Sequence, residues 1–305
     1  MITKLSQLIE LAQKTPVKKL SIACPYDEHT LKAAVKAYEY GLVNCVLVGD
    51  ESLIRQTACQ CNINIDKFSI INIKDENEAV NEAVRMVSDK ESDMVMKGLI
   101  SSEKYLKSVF RRNKGLLGDS VQITHTAVLE NKSLDRLIFF GDAAILPQPD
   151  LKQKLIILNA LSRTAQLFGV EKPKVAMIAA SEFISPAIAA GVDAAVISKM
   201  SQRNQLGNVS VEGPLSIELA LDKESVKIKG VTGDVPGNAD CLVFPEIEAG
   251  NAFYKTNTKL AGAQIAGCLD GTQAPVVMTS RADSVESKIY SIAFAKIKGF
   301  GLPHY

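Results

Sequence analysis

The sequence has almost no excess charge of either sign, because 35 lysine and arginine residues are balanced by 34 aspartate and glutamate residues. Nucleic-acid-binding domains usually carry a marked basic excess, so this balance argues against a nucleic-acid partner. Long apolar runs are also missing, since none approaches the roughly 18 residues of a membrane span. The N-terminal segment mixes charged and apolar residues, unlike a signal peptide. We therefore expect a cytoplasmic protein with no membrane partner.

Metal-ligating residues are few and scattered. Of the six cysteines only Cys59 and Cys61 are close together, and the three histidines are far apart. A zinc site usually shows C-x-x-C pairs or nearby histidines, so we predict buried reduced thiols and no metal site. The sequence also lacks the G-x-x-x-x-G-K-[ST], G-x-G-x-x-G, G-x-S-x-G and H-E-x-x-H motifs. Nothing in it suggests a Ser/His/Asp triad.

What the sequence does contain is an alternation of short apolar runs with amphipathic helical segments. Unbroken runs of this kind are typical of strands buried on both faces of a parallel sheet. The helical segments include residues 77–90 and 151–169, the second ending at Gly169 as a C-cap position. The alternation predicts an α/β fold. The predicted strands are 44–49, 68–73, 93–99, 121–130, 136–140, 174–180, 193–198, 240–245 and 274–280.

The length of 305 residues and an apolar content of 47% suit two domains. Two prolines in the segment 141–150 mark a boundary, and the polar segment 267–275 marks a return crossing. We therefore predict a first domain of residues 1–142 plus 268–305 and a second domain of residues 143–267.

The strand-to-helix turns are the places to search for a site, because open parallel sheets bind ligands at the carboxyl ends of their strands. In PVVMTSRADSVESK (275–288), Ser280 and Arg281 follow an apolar strand. Asp283 and Glu286 have the spacing of a capping box that begins the next helix. A helix N-terminus and a guanidinium both favour an anion. The alternative is a surface arginine that caps a neighbouring carbonyl.

Two further turns carry candidate ligand-binding residues. The strand at 93–99 ends at Lys97, and either Ser101 or Ser102 caps the next helix, whose cationic face suggests a phosphorylated ligand. The third turn has Glu246 and Asn251 at a helix start. For the cationic face the alternative is a solvated helix surface, and for Glu246 and Asn251 the alternative is ordinary helix capping. The cationic face comprises Lys104, Lys107 and Arg111.

Together, four stretches resemble the phosphate acyltransferases that exchange coenzyme A and phosphate, specifically the phosphate butyryltransferase branch. They lie between about residues 95 and 295, and their combination is specific. In chain order they are VMKGLISS with the following ITHTAVLE, GDAAILPQPDLKQK, GNADCLVFPEIEAGNAFYKTNTKLAGAQIAG, and APVVMTSRADSVESK.

The resemblance implies two three-layer α/β domains with parallel-rich sheets and a cleft between them, as in isocitrate and isopropylmalate dehydrogenases. It implies that acyl-CoA and phosphate react to give acyl phosphate and coenzyme A, without a cofactor or metal. It also implies a homodimer or a higher homo-oligomer.

The resemblance further implies roles for individual residues. Ser280 and Arg281 match the Ser-Arg pair of the family. The acetyl branch has a carboxylate seven residues after that serine, thought to deprotonate the thiol, but Ser287 is found here. Asp283 and Glu286 are therefore the candidate bases. Lys107 matches an arginine of the acetyl branch, and the expected substrate-binding residues are Lys97, Ser101, Ser102, Lys107, Glu246 and Asn251.

The mechanism that we expect is direct attack of the coenzyme A thiolate on the acyl carbonyl in a ternary complex. Arg281, helped by Lys107, holds the phosphoryl group, and Ser280 donates a hydrogen bond to the phosphate or to the developing oxyanion. Three alternatives stay open: an acetyl-specific enzyme, a metal-dependent decarboxylating dehydrogenase of the same fold, and a non-catalytic binder of acyl-CoA or phosphate metabolites.

Overall fold

The computed structural model describes residues 2–112, 114–117 and 122–301. It forms two compact units. The first unit comprises Leu5–Ile123 and Ile265–Tyr305, and the second comprises Met1–Lys4 and Thr124–Gln264. None of the described helices combines the length and the apolar character that a membrane crossing requires.

Helices and strands alternate along the chain, as the apolar pattern predicts. Up to residue 123 they are α1 (Ser6–Gln13), β1 (Lys18–Ala23), α2 (Glu28–Glu39), β2 (Val43–Gly49), α3 (Glu51–Gln60), β3 (Ser69–Asn72), α4 (Glu76–Ser88), β4 (Met94–Lys97) and α5 (Ser102–Val109). The second unit continues with β5 (Thr124–Glu130), β6 (Ile138–Gly141), α6 (Leu151–Leu167), β7 (Lys174–Ile178), α7 (Ala189–Gln202), β8 (Ser210–Leu215), α8 (Ile217–Leu221), α9 (Lys223–Lys229), β9 (Cys241–Val243) and α10 (Ile247–Lys259). The chain then adds β10 (Gln264–Asp270), β11 (Val276–Val277) and α11 (Val285–Phe300).

The strands of the first unit are ordered β3-β2-β1-β4-β11-β10. Neighbouring strands run parallel from β3 to β11, and β10 is antiparallel to β11. Helix α11 packs against α1 and α2, while α4 packs against α5 and the strands β1 and β2. The register pairs Ala23 with Lys97 and Val277 with Met96. The carboxyl ends of β1, β4 and β11 therefore lie side by side.

The second unit has the strand order β5-β6-β9-β7-β8. Strands β5 and β6 are antiparallel, and the remaining pairs are parallel. Phe140 lies at the centre of an aromatic core, with edge-to-face contacts to Phe244, Phe253 and Tyr254. Because β6 pairs with β9, residues 124–141 belong to this unit, which begins earlier than the predicted boundary at 142.

One predicted strand is wrong. Residues 193–198 lie inside helix α7, where Ala194 and Ile197 are buried and Val196 is 42% exposed. A short run of alanine with valine and isoleucine fits a buried strand and one face of a helix equally well. Strands β1, β8 and β10 were not predicted. Residue 121, the first residue of the predicted strand 121–130, lies outside the described residues.

All six cysteines are free thiols. Cys24, Cys45, Cys241 and Cys268 are buried, whereas Cys59 is exposed. Burial raises the pKa of the Cys24 thiol to about 11, so this side chain stays protonated and unreactive near neutral pH. The prediction of buried reduced thiols thus holds for these four residues.

Helix α10 approaches the loop after β6 so closely that a Cβ atom at Gly250 would collide with the carbonyl oxygen of Asp142. Because backbone atoms yield only with difficulty, we expect Gly250→Ala to lower the free energy of unfolding by about 1–3 kcal/mol in denaturant titrations. Gly191→Ala is the matched control, since a Cβ there meets its nearest atoms at 3.9 Å. Its helical position should make it neutral or stabilising by up to about 1 kcal/mol. Equal losses of unfolding free energy in both variants would contradict a steric role for the close approach at Gly250.

Candidate active site

The candidate site lies at the carboxyl ends of β1, β4 and β11 in the first unit. The direction of the strand order reverses between β1 and β4, which is where open α/β sheets typically bind ligands. Beyond β11 the chain passes through Thr279 to Ser280 and Arg281 before α11 begins. The sequence-predicted turn therefore occupies the expected position on the sheet.

Hydrogen bonds on both sides hold the Ser280–Arg281 turn. The Ser280 N–H donates to Oδ2 of Asp283 over 2.7 Å, and the Asp283 N–H donates to the Ser280 carbonyl over 3.2 Å. Nζ of Lys288 donates to the same carbonyl over 3.2 Å and to Oγ1 of Thr279 over 3.4 Å. Arg281 is exposed, and no carboxylate of the described chain forms an ion pair with it. Its guanidinium therefore has its donors available for a ligand.

The helix cap differs from the predicted one. The N-cap of α11 is Ser284, whose side chain accepts from the Ser287 N–H. Asp283 does not cap the helix, because its buried carboxylate accepts the Ser280 N–H instead. Glu286 is exposed in the first turn of α11, where it forms an ion pair with Lys36 of α2 at 3.5 Å. The prediction of an Asp283–Glu286 capping box is therefore wrong.

Lys97 is buried beside this turn and is 2% exposed. Its Nζ donates to the carbonyl of Ile100 over 3.0 Å and to that of Gly98 over 3.4 Å. Burial, together with the positive charges of Lys288 and Arg281, lowers the pKa of Lys97 to about 8. Lys97 therefore shares a strongly electropositive environment with the Ser280–Arg281 turn.

Three residues near this turn were not predicted as site residues from the sequence. Lys288 is 1% exposed, and burial lowers its pKa, whereas the charges of Asp27 and Asp283 act in the opposite direction. Asp27 caps α2 by accepting the Thr30 N–H, and Nδ1 of His29 lies 3.0 Å from the Asp283 carbonyl oxygen. A lysine inside the apolar face of α11 was a visible signal for Lys288. Asp27 and His29 carried no comparable signal, because only the fold places β1 beside β4.

The other candidates of the first unit lie on α5. Ser101 is the N-cap of α5, and its side chain accepts the Lys104 N–H over 3.2 Å. Of the two predicted caps, Ser101 is therefore the correct one. Ser102 is the first helical residue and is exposed. Lys107 is exposed and lines a cavity of about 430 Å³ between α4 and α5. That lining does not include the Ser280–Arg281 turn. The cavity is lined by Asn77, Asn81, Lys104, Lys107, Ser108 and Arg111.

Two candidates belong to the second unit. Glu246 is exposed at the N-cap position of α10, but its side chain accepts no capping hydrogen bond. Asn251 donates from Nδ2 to the carbonyl of Ala143 over 3.2 Å. This bond joins α10 to the loop after β6, so Asn251 has a local structural role. Substrate binding by these two residues stays a prediction.

The sequence of this chain is similar to those of known phosphate acyltransferases. The family model described as phosphate acetyl/butaryl transferase matches residues 4–85 and 75–296. The chain belongs to this family. Phosphate butyryltransferase from Clostridium acetobutylicum is 40% identical over 297 residues, which cover 97% of this chain and 98% of that protein. Phosphate acetyltransferase from Thermotoga maritima is 35% identical over 293 residues, covering 96% and 99%.

Solved structures agree with the phosphate acyltransferase assignment. A branched-chain phosphotransacylase from Enterococcus faecalis V583 superposes with a TM-score of 0.79 at 28% identity, covering 93% of this chain and all of that one. A putative 4-hydroxythreonine-4-phosphate dehydrogenase from Salmonella typhimurium shares the fold alone, with a TM-score of 0.53 at 11% identity. The predicted dehydrogenase-like α/β fold and the phosphate acyltransferase class are therefore confirmed, and the dehydrogenase alternative is overturned.

Proposed function

We propose that this phosphate acyltransferase exchanges coenzyme A and phosphate on a short-chain acyl group, with butyryl-CoA as its preferred thioester. The observation that carries the proposal is the Ser280–Arg281 turn, where an exposed guanidinium without an ion-pair partner among the described residues lies next to the N-terminus of α11. Unpaired N–H groups and the dipole of a helix N-terminus favour an anion, and a guanidinium matches phosphate geometry. Preference for butyryl rests on the phosphate butyryltransferases at 40% and 38% identity.

In the proposed mechanism, Arg281 and the N-terminus of α11 hold the phosphoryl group. The hydroxyl of Ser280 donates a hydrogen bond to the phosphate or to the oxyanion that develops on the acyl carbonyl. The coenzyme A thiolate attacks the acyl carbon directly, the bond from carbon to the phosphate oxygen breaks, and phosphate leaves with the electron pair. Phosphate is a good leaving group, so positioning and charge stabilisation supply most of the rate enhancement.

Proton removal from the thiol contributes less. A thiol with a pKa of about 8.5 is ionised to a few per cent at neutral pH, so complete ionisation would gain a factor of only tens. Asp283 is the better-placed candidate base, because it belongs to the Ser280–Arg281 turn. Glu286 is exposed and paired with Lys36.

Other parts of the proposal concern Lys107, the compartment and the oligomeric state. We assign Lys107 to substrate binding through the cationic cavity between α4 and α5. The unpaired thiols suit a reducing compartment, which agrees with a cytoplasmic enzyme. A homodimer or higher homo-oligomer, and a reaction without metal or cofactor, follow from the family resemblance and belong to the proposal.

A thioester assay tests the proposed reaction. Purified protein should release coenzyme A from butyryl-CoA only when phosphate is present, and kcat/KM should fall for acetyl-CoA. A panel of acetyl-, butyryl-, valeryl- and branched acyl-CoA substrates determines the preferred chain. Each methylene of a hydrophobic pocket is worth about 10–200-fold in discrimination. If no member of the panel shows phosphate-dependent turnover, the protein is a non-catalytic binder instead.

Removing the guanidinium tests its role at the phosphoryl group. We expect Arg281→Ala to lower kcat/KM for acyl phosphate by about 10²–10³-fold, since a preorganised charged donor is lost. Arg281→Lys should recover only part of this loss, because a lysine lacks the planar fork of donors. Arg203→Ala is the control, because Arg203 is an exposed arginine after α7 in the second unit. Near-normal turnover by Arg281→Ala would refute the assignment.

The two candidate bases are separated by amide substitutions. We expect Asp283→Asn to lower the rate of thiol attack on butyryl phosphate by about a factor of tens at pH 7, whereas Glu286→Gln stays near wild type. If Asp283 accepts the thiol proton, the loss should shrink towards about pH 9, where the thiol ionises unaided. A loss of equal size at both pH values would show that Asp283 only shapes the turn. Full activity in both variants would exclude both carboxylates as the base.

A further inference from the structure

Two lysines beside the Ser280–Arg281 turn are buried, although no carboxylate of the described chain forms an ion pair with either of them. Lys97 ends β4 and is 2% exposed, and Lys288 lies in the first turns of α11 and is 1% exposed. Their amines donate to the carbonyls of Ile100 and Ser280, respectively. Each lysine therefore contacts the loop that follows one of two neighbouring strands.

This arrangement is costly in the absence of an anion. An ammonium group taken out of water without a direct counter-charge is strongly destabilised. Burial lowers the pKa of both lysines, and for Lys97 the charges of Lys288 and Arg281 add to the effect. Asp27 and Asp283 offset it only in part, and the Asp283 carboxylate is already engaged by the Ser280 N–H. A bound anion next to Arg281 would relieve the repulsion among the three cations.

Resting on the proposed function, we propose that Lys97 and Lys288 are positioning residues that set the affinity of the site for the phosphoryl group. Lys288 holds the carbonyl of Ser280 and so fixes the orientation of the Ser280–Arg281 turn. Lys97 adds positive charge from the neighbouring strand β4. Lys288 acts through Ser280 and Lys97 acts through its charge, so their loss should affect phosphate more than the acyl-CoA thioester.

A third lysine serves as a matched control for loss of a buried amine. Lys296 lies on the same helix as Lys288, is 0% exposed, and donates to the carbonyls of Ala12 and Thr15 at the end of α1. Neither of these hydrogen bonds involves the Ser280–Arg281 turn. Lys288→Met and Lys296→Met therefore remove equally buried ammonium groups from one helix, and only the first removes a contact with the turn.

The variants are compared in the direction butyryl-CoA plus phosphate, in which coenzyme A thiol is not a substrate. We expect Lys288→Met to raise the KM for phosphate by about ten- to hundredfold, while the KM for butyryl-CoA changes by less than about threefold. Lys288→Arg should restore part of the phosphate affinity, because it keeps the charge and a donor. Lys296→Met should keep the wild-type KM for phosphate. Equal phosphate KM values in Lys288→Met and Lys296→Met would overturn the proposal.

The contribution of Lys97 is tested by pH and needs no truncation. Protonated Lys97 attracts phosphate and neutral Lys97 does not, so wild-type kcat/KM for phosphate should fall as the pH rises above about 8. Inorganic phosphate is already almost fully a dianion there. Lys97→Arg stays charged, so its fall should move to higher pH. A fall at the same pH in both proteins would contradict the role of Lys97.

Direct binding of inorganic phosphate, measured by calorimetry, separates failure of this proposal from failure of the proposed function. If wild-type protein binds phosphate and Lys288→Met binds it at least about tenfold more weakly, the positioning role stands even without turnover. If wild-type protein turns over butyryl-CoA and Lys288→Met binds phosphate as tightly as Lys296→Met does, the positioning role fails while the enzymatic function stands.

Discussion

The contact between the Lys288 amine and the Ser280 carbonyl is the interaction on which the candidate site depends. It joins the buried face of α11 to the turn that presents Arg281, over 3.2 Å. A carbonyl that accepts from an ammonium group is held more firmly than one that accepts from a neutral donor. The Ser280 N–H is held at the same time by Asp283, so both polar groups of the Ser280 backbone are engaged. The side chains of Ser280 and Arg281 are thus presented by a backbone that has little freedom to turn.

The site also concentrates positive charge in a protein that has almost none in excess. The net charge of the whole chain is only +1, yet Lys97, Lys288 and Arg281 meet at the ends of adjacent strands. Burial of the two lysines keeps water from screening their charges, which strengthens both their mutual repulsion and their attraction for an anion. The family's substrates include phosphate, and the negative charge of phosphate would offset the repulsion among these cations. A cluster of positive charge therefore suits the chemistry of phosphate acyltransferases.

Local patterns predicted the parts of the site that depend on short segments. The Ser280–Arg281 turn follows from an apolar strand and a helix start that are adjacent in the sequence. Spacing alone did not determine the helix cap, because Asp283 and Ser284 are adjacent and both are possible N-caps. Ser284 caps α11, since the Asp283 carboxylate accepts the Ser280 N–H instead. In residues 193–198, the apolar run was compatible with both periodicities, and burial of one face against β8 made it helical.

The sequence by itself determined the α/β class, the turn that bears Arg281 and, through its resemblance to the phosphate acyltransferases, the reaction class. These depend on periodicity and on motifs within a few residues of one another. Only the tertiary structure decided that β1 and β11 flank β4, and so that Asp27, Lys97 and Lys288 share one electrostatic environment. Asp27 and Lys288 lie near opposite ends of the chain. The strand order brings them together, and it depends on packing between distant segments rather than on any local pattern.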